Sequence, residues 1–430
     1  MSSQATTAEL ALPRDIAATI VDPKAHADLD RIHAAYTWAR ANNPLGIAEV
    51  DGYDPFWVVT KHADLMEISR DGEAFHNSDR SALVYPRASI EQYIKARGKP
   101  NSSDTLISLD DPEHRKLRGL TQNWFMPNNV AKLNQRVRDI AQLSVNRMLE
   151  KGGTCDFVQD VALQYPLRVV MDILGVPSTD EPLMLKLTQQ IFGPQDPDMA
   201  RDKNAADPVA RAKMVQAIMA EIFGYFAGVT ADRLKNPRDD IATVLSTAQI
   251  DGQPISDAVR NGYYLIIATA GHDTTSSSTA VAMWALARDP SLLSRLKADP
   301  TLISGLIDES IRWGSPVRHF MRAATKDVMV RNRKIAKGDW LMLCYGSANR
   351  DEEVFERPFE FDIDRKNKHL GFGYGPHVCL GQHLAKLEMR VLFEALLPRL
   401  ESVELAGDLV MTAANFVSGP KRLPIRYRMK

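Results

Sequence analysis

One cysteine in this sequence, Cys379, has neighbours that suit it to bind a metal ion. It lies within residues 372–381, where three glycines and a proline cannot continue a helix or a central strand. Residues 382–393 are rich in helix formers with apolar residues at helical spacing, which puts Cys379 at a loop-to-helix junction. The positive end of a helix dipole lowers the pKa of a thiol and favours the thiolate, the form that ligates metals. The alternative is that Cys379 is a small buried hydrophobic residue.

A second candidate lies in the middle of a long apolar segment. Residues 261–288 contain no proline and begin with an apolar stripe, which predicts one long buried helix. Its centre is a glycine, Gly271, followed by Asp273 and then six consecutive hydroxyl residues from Thr274 to Thr279. These hydroxyl groups compete for backbone hydrogen bonds and can bend a helix. We therefore expect either a locally opened central helix or two helices, with Asp273 or Thr274 as an N-cap.

Two pairs of charged or polar residues fall on single helix faces. Residues 110–113 have the composition of a helix start, and His114 and Arg118 follow at positions i and i+4. Glu309 and Arg312 stand at i and i+3 within a helix predicted over residues 304–313. The alternative for both pairs is an ordinary solvated face, where such contacts contribute little to stability.

These candidates are positioned by a chain that is predicted to be mainly helical. Residues 46–61 are typical of a β-hairpin, residues 327–331 and 338–343 of strands, and residues 415–420 of a turn between short strands. Residues 130–236 predict successive helices, residues 77–107 a long loop region, and residues 1–25 a polar N-terminal arm. No internal repeat or low-complexity tract appears. The predicted fold class is mainly α with a smaller β-rich region, organised as one domain over residues 1–430.

The motifs together resemble one family. The pattern Phe-Gly-x-Gly-x-His-x-Cys-x-Gly over residues 372–381 resembles the cysteine-ligand loop of the cytochrome P450 family, the haem-thiolate monooxygenases, at all six fixed positions. Residues 270–275, Ala-Gly-x-Asp-Thr-Thr, resemble the oxygen-activation segment of that family. The resemblance covers nearly the whole chain. Residues 119–125, 181–189 and 268–278 look most like the bacterial members that hydroxylate terpineol.

The resemblance implies a role for each candidate. Cys379 would be the metal ligand of haem b, iron protoporphyrin IX, and Asp273 and Thr274 would relay protons to dioxygen. The further cofactor-binding residues would be His114, Arg118, Arg322, His377 and Gly381, of which His114, Arg118 and Arg322 match positions that contact the haem propionates. Arg suits a carboxylate because its planar fork can bind both oxygens. Glu309, Arg312 and Arg365 would form a structural ion network that braces the thiolate loop.

The same resemblance implies a substrate pocket. By family position, its walls would be Tyr85, Ile107, Phe192, Ile267, Ala270, Val317, Phe320, Phe416 and Val417. These side chains are mostly apolar, which favours a compact hydrophobic ligand with one polar anchor. We expect a monoterpenoid or an alkyl-substituted aromatic compound.

The implied activity is hydroxylation with O2 and with electrons from a ferredoxin and an NADH-dependent ferredoxin reductase. A basic surface on the cysteine side, formed by Arg115, Lys116, Lys366, Lys368, Lys386 and Arg390, would attract an acidic ferredoxin. The alternatives are a peroxide-driven haem enzyme, which would not need the Asp-Thr pair, and a non-catalytic haem-binding sensor, which would usually carry an effector domain.

The bulk composition excludes several other classes. The chain has 430 residues, 44% of them hydrophobic, and a net charge of −1, so no global basic field attracts nucleic acid. Its three cysteines have no paired spacing, which argues against a disulfide framework or a zinc ribbon. No signal peptide and no run of about 20 apolar residues is evident. We expect a cytoplasmic monomer that contacts no membrane.

Overall fold

The computed structural model describes residues 10–200 and 207–430, and helices dominate them. The helices are α1 (Arg14–Val21), α2 (Pro23–Ala27), α3 (Leu29–Asn42), α4 (His62–Arg70), α5 (Arg87–Arg97), α6 (Glu113–Gln122), α7 (Pro127–Val130), α8 (Asn134–Glu150), α9 (Gln164–Leu174), α10 (Glu181–Phe192), α11 (Pro208–Lys235), α12 (Ile241–Thr247), α13 (Asp257–Ala270), α14 (Asp273–Arg288), α15 (Pro290–Ala298), α16 (Ile303–Gly314), α17 (Tyr345–Ala348) and α18 (Gln382–Leu396).

The strands form two small sheets and three hairpins. They are β1 (Leu45–Ala48), β2 (Phe56–Val59), β3 (Phe75–His76), β4 (Thr154–Asp156), β5 (Gln249–Ile250), β6 (Gln253–Pro254), β7 (His319–Ala324), β8 (Val328–Val330), β9 (Arg333–Ile335), β10 (Trp340–Cys344), β11 (Leu400–Leu405), β12 (Val410–Met411), β13 (Pro420–Arg422) and β14 (Pro424–Met429). The larger sheet has the order β1-β2-β10-β7-β3, and a second sheet has the order β11-β14-β4. The predicted fold class, mainly α with a smaller β-rich region, is confirmed.

Helix α14 lies at the centre of the helical part. Every residue from Thr275 to Met283 is buried, although this stretch contains five consecutive hydroxyl side chains. The helix packs against α9, α16, α18 and β11. Ser278 satisfies its hydroxyl within the helix by donating to the carbonyl of Thr274 (3.1 Å), whereas the hydroxyls of Ser277 and Thr279 have no hydrogen-bond partner among the described residues.

Several predicted elements are present at their expected places. The hairpin over residues 46–61 is formed by β1 and β2, with Leu45 opposite Val59. The segment over residues 261–288 divides into α13 and α14, with a break at Gly271 and His272. Neither Asp273 nor Thr274 caps α14, because its N-cap is His272 and no side chain makes a capping hydrogen bond there.

Residues 14–25 of the predicted polar arm form short helices in the structure. These residues belong to α1 and α2, which bury Ala17, Ile20, Val21 and Ala25. The buried residues are few and lie on one face of each short helix. Because polar residues surround them in the sequence, the two helices were not predicted. Residues 1–9 of the predicted arm lie outside the described residues.

Strand β4 also interrupts the helices that were predicted over residues 130–236. It pairs with β14, so that Ile425 lies opposite Cys155. A partner some 270 residues away leaves no local pattern in a three-residue strand. Residues 201–206 of the same range are not described.

Helix α11 is the one helix of the described residues that is long and apolar enough to cross a membrane, judged by length and composition alone. The core helix of a soluble protein passes the same test. The buried residues of α11, among them Val215, Ile218, Met219, Ile222 and Phe226, follow helical spacing, as expected for a helix that packs on a protein core. It contacts α5, α10, α12 and α13.

The structure brings Glu309, Arg312 and Arg365 together in a buried network. Both carboxylate oxygens of Glu309 accept from Arg312, at 2.7 Å each, and Oε1 lies 3.3 Å from Nε of Arg365. Arg312 also donates to the carbonyls of Asn349, Pro358 and Glu360. The network therefore fastens α16 to the irregular chain that leads to the thiolate loop.

We predict that Glu309→Gln lowers the free energy of unfolding by about 3–5 kcal/mol, because it leaves the buried guanidinium of Arg312 without its counter-charge. Urea unfolding followed by circular dichroism measures the change. The matched control is Glu404→Gln, which removes a carboxylate from the exposed pair with Arg426 and should cost about 1 kcal/mol or less. Equal losses in the two variants would contradict a structural role for the network.

Candidate active site

The loop before α18 has a conformation that holds Cys379 at the wall of a cavity. The N–H of Cys379 donates to the carbonyl of Phe372 (2.8 Å), and the N–H of Val378 donates to the carbonyl of Gly375 (3.0 Å). Gly375 has a φ of +72°, and an added Cβ would collide with the carbonyl oxygen of Ser69 at the end of α4. Only glycine fits this position, so the loop is clamped against α4.

Cys379 lines the cavity and is exposed to that space, while protein atoms surround its thiol on the other sides. Burial raises the pKa of the Cys379 thiol, and the N–H groups of Gly381 and Gln382 and the charge of Arg118 only partly offset that rise. The expectation that the helix dipole sets this pKa is therefore outweighed by burial in the protein alone. A metal ion bound to the sulfur would supply the positive charge that favours the thiolate.

The cavity in front of Cys379 has a volume of about 350 Å³. Its walls include Thr274 and all nine residues predicted for the pocket: Tyr85, Ile107, Phe192, Ile267, Ala270, Val317, Phe320, Phe416 and Val417. Gly381 also lines it, and an added Cβ there would meet no protein atom within 4 Å. The walls above the sulfur are apolar, as expected for a site that selects a hydrophobic ligand.

Basic side chains collect at one end of the cavity, where His114, Arg118, Arg322 and His377 all line its wall. The rings of His114 and His377 are 4.0 Å apart, and Arg118 donates to the carbonyl of Val378 (2.8 Å). Asn77 supports this end, since its side-chain amide lies 2.6 Å from Nε2 of His377.

The positive charges of this basic end are only partly balanced by the protein, since Nδ1 of His114 lies 3.5 Å from Oδ1 of Asp111. Burial, together with the charges of Arg322, His114 and Arg118, lowers the pKa of the His377 imidazole to about 2. Arg118 and Arg322 form no ion pair with any described residue, and Nε2 of His114 has no hydrogen-bond partner among them. Two carboxylates of a bound cofactor would supply the missing acceptors and charge. A cavity that is lined by a thiol and by a group of neighbouring basic side chains fits haem.

The structure places Asp273 and Thr274 on different sides of α14. The Thr274 hydroxyl lines the main cavity and donates to the carbonyl of Ala270 (2.8 Å), just before the break between α13 and α14. The Asp273 carboxylate lines a second, polar cavity of about 250 Å³. Its Oδ2 atom is buried without a hydrogen-bond partner among the described residues, and Nδ1 of His272 is 3.4 Å away.

The second cavity is lined by polar side chains from several elements: Gln159, Gln189, Asp198, Ser276, Ser277, Lys421 and Arg422. Phe192 and Val417 belong to the walls of both cavities. The two cavities are therefore neighbours, with adjacent residues of α14 facing each of them.

Some residues of the site were not found from the sequence. The main cavity is also lined by Leu83, Leu106, Ile191, Val215, Met219 and Glu388. Glu388 is 1% exposed, and burial raises the pKa of its carboxyl group well above the usual range. The sequence does contain a signal for Glu388, since it is a single acidic residue among the apolar positions of α18. An acidic residue ordinarily lies on the solvent-exposed face of such a helix.

The basic surface residues are partly neutralised by their own neighbours. Arg115 pairs with Asp111 (2.7 Å), Lys116 with Asp251 (2.8 Å) and Lys386 with Asp308 (2.6 Å). Arg390 lies 3.9 Å from Glu394. The net positive potential of this surface is consequently smaller than the count of its cations indicates.

Comparison with known proteins agrees with this geometry. The family model described as cytochrome P450 matches residues 82–423. The chain is 49% identical over 426 residues to cytochrome P450-terp of a Pseudomonas species, which covers 98% of this chain and 99% of that protein. The crystal structure of CYP108D1 from Novosphingobium aromaticivorans has a TM-score of 0.90 and 44% identity, and the match covers 98% of this chain and 100% of that one. Mycobacterium marinum CYP268A2 in complex with pseudoionone has a TM-score of 0.83 and 29% identity, covering 92% and 95% of the two chains. This chain belongs to the cytochrome P450 family of monooxygenases.

Proposed function

We propose that this enzyme hydroxylates a small hydrophobic compound, a monoterpenoid or an alkyl-substituted aromatic. The observation that carries the proposal is the apolar wall above Cys379, to which nine residues from separate segments contribute. The relative of 49% identity is named P450-terp, and a solved relative of this fold was crystallised with pseudoionone. Both names support a terpenoid ligand.

The cofactor proposed for the site is haem b. Cys379 would be its thiolate ligand, while Arg118, Arg322, His114 and His377 would hold its propionates by charge-assisted hydrogen bonds. When bound, the haem supplies dioxygen activation and C–H oxidation, and thiolate donation favours O–O cleavage.

Proton delivery is the chemical task proposed for Asp273 and Thr274. Asp273 faces the polar cavity and can exchange protons with water there, while the Thr274 hydroxyl faces the substrate side. The break at Gly271 and His272 lies between the hydroxyl and its acceptor carbonyl, where the helical hydrogen bonds are interrupted. A proton could therefore pass along α14 from one cavity to the other through its side chains.

The electron donor that we propose is a ferredoxin, which an NADH-dependent reductase would reduce. Arg115, Lys116, Lys366, Lys368, Lys386 and Arg390 would form the docking surface for its acidic face. We further propose that the enzyme works in the cytoplasm as a monomer with one domain.

We predict that the reduced protein with bound CO shows the strongly red-shifted Soret band of a thiolate-ligated haem, and that Cys379→Ser loses this band. The reason is that only a thiolate sulfur donates enough charge to the haem to shift the band. Absorption spectra of freshly prepared holoprotein make the measurement. An ordinary Soret position in the native protein would rule out Cys379 as the ligand.

We predict that monoterpenoids and small alkylbenzenes shift the haem from low to high spin at micromolar concentrations. Such compounds match the apolar residues that line the pocket and can displace water from the space that the haem leaves, whereas an ionised headgroup would have to leave water without a partner. Optical titration of a panel of small terpenes, alkylbenzenes and long fatty acids measures the shift. A response confined to fatty acids or to charged ligands would contradict the proposed substrate class.

We predict that Thr274→Ala binds haem and substrate like the parent enzyme but forms about tenfold less product per NADH and releases hydrogen peroxide instead. Losing the hydroxyl misdirects protons, whereas Asp273→Asn weakens the proton source and should slow the whole cycle. Product, peroxide and NADH are measured in the same reaction.

The control is Thr279→Ala on the same helix, since Thr279 is fully buried and lines neither cavity. Thr274→Ala should lose roughly 1 kcal/mol of stability with its hydrogen bond to Ala270, whereas Thr279→Ala removes a buried hydroxyl that has no hydrogen-bond partner among the described residues. Unchanged coupling in Thr274→Ala would make its hydroxyl a purely structural group.

A further inference from the structure

A group of basic side chains lies buried away from both cavities, where α3 meets the C-terminal end of α16 and the chain after α17. We call His33, Arg318 and Arg350 the buried basic cluster. Arg318 is 3% exposed and Arg350 is 1% exposed, whereas His33 is half-buried with both of its ring nitrogens out of contact with solvent. None of the three lines the main cavity or the polar cavity.

Hydrogen bonds and ring contacts bring the three side chains together. Nη1 of Arg318 donates to the carbonyl of Gly314 (2.9 Å), and Nη2 of Arg350 donates to the carbonyl of Trp313 (2.6 Å). Because these carbonyls belong to consecutive residues, both guanidinium groups lie at the same end of α16. The ring of Phe359 is 5.7 Å from the His33 ring and 5.9 Å from Cζ of Arg350, so the imidazole lies on the same side.

Most donors of this cluster have no acceptor in the described part of the chain. They are Nε and Nη2 of Arg318, Nε and Nη1 of Arg350, and both ring nitrogens of His33. No described carboxylate pairs with Arg318 or Arg350, whereas nearby Arg40 and Arg312 each have a glutamate partner. The unsatisfied donors are thus confined to this cluster and are not a general feature of the arginines in this region.

Electrostatics makes this arrangement costly for the protein alone. A guanidinium group cannot lose its proton under ordinary conditions, so burial leaves two positive charges in a region of low dielectric. The carbonyl end of a helix supplies roughly half a negative charge, which cannot balance both. Water would satisfy the donors but would leave the charge.

We propose that the buried basic cluster binds one small monovalent inorganic anion of the chloride class. Such an ion accepts hydrogen bonds from both guanidinium groups and from the imidazole, and it removes half of the unpaired charge. The helix end accounts for part of the remainder. A small ion is required because the donor atoms are closed off from solvent, and the ring of Phe359, which is 47% exposed, packs near both His33 and Arg350.

The anion would stabilise the scaffold of the thiolate loop. Asn349 precedes Arg350, and its Oδ1 accepts from the N–H of Leu370 (2.7 Å), next to the loop that carries Cys379. Its Nδ2 donates to Oγ of Ser315 (2.9 Å). An ion that fixes Arg350 therefore also holds the segment on which this loop rests.

The test is thermal unfolding of the holoprotein at constant ionic strength while chloride replaces gluconate. We expect the Tm to rise by about 2–4 °C and to saturate, as it does when a ligand binds only the folded state. His33→Phe, which keeps a ring against Phe359, should shift the half-saturating chloride concentration upward by about tenfold or more, because it removes one hydrogen bond to a charged ligand. The matched control is Arg426→Met, which removes an exposed arginine and should respond like the parent protein.

Crystals soaked in bromide provide the second arm, and an anomalous peak is expected within hydrogen-bond distance of Arg318 and Arg350. A Tm that rises linearly and equally in all three proteins would overturn the proposal, since it would reflect a general salt effect. Water at the position of the expected peak would overturn it as well.

Discussion

The arrangement of the active site depends on the ion pairs that the buried carboxylate of Glu309 makes. It binds both Arg312 and Arg365 and also accepts from the N–H of Asp362 (2.8 Å), while the two arginines bind backbone carbonyls between Asn349 and Glu360. This part of the chain has little regular structure and cannot satisfy its own carbonyls. Side-chain donors therefore bind the backbone carbonyls that a helix or sheet would otherwise satisfy. These hydrogen bonds also fix the position of the loop that carries Cys379.

The interrupted helix at the centre of the molecule shows how a local defect is made stable. The hydroxyl run of α14 has low helix propensity. The segment is nevertheless helical, because every residue from Thr275 to Met283 is buried against neighbouring elements. The irregularity is thus confined to Gly271 and His272, where the helix passes beside the main cavity. Packing therefore keeps α14 helical, while the local composition determines that the break lies at Gly271 and His272.

The residues that could do chemistry were predictable from the sequence because the members of each motif lie close together in the chain. Cys379 and its glycines, the Asp273–Thr274 pair and the spacing of Glu309 and Arg312 each lie within a few positions. The nine pocket residues came from the family resemblance, since they are scattered over more than 300 residues, from Tyr85 to Val417, and share no pattern. Strand β4 and the polar cavity were missed because both are made by segments that meet only in the folded chain. The effect of burial on the pKa of Cys379 was missed for the same reason. A helix start can be predicted from local sequence, but the protein atoms that surround the thiol come from distant segments.

The wall that the two cavities share has a consequence for how the enzyme handles different ligands. Phe192 ends α10 and its ring lies 6.1 Å from the ring of Phe416, while the next residue, Val417, is held by a β-bridge to Val317, so two separate segments meet in the shared wall. A molecule that presses Phe192 outward enlarges the main cavity at the expense of the polar one. The space available to water beside Asp273 then depends on the bulk of whatever lies over Cys379. Under the proposed role of Asp273 as a proton source, shape discrimination and the supply of protons would be mechanically linked, because a badly fitting molecule that displaces Phe192 would also change the space for water beside Asp273.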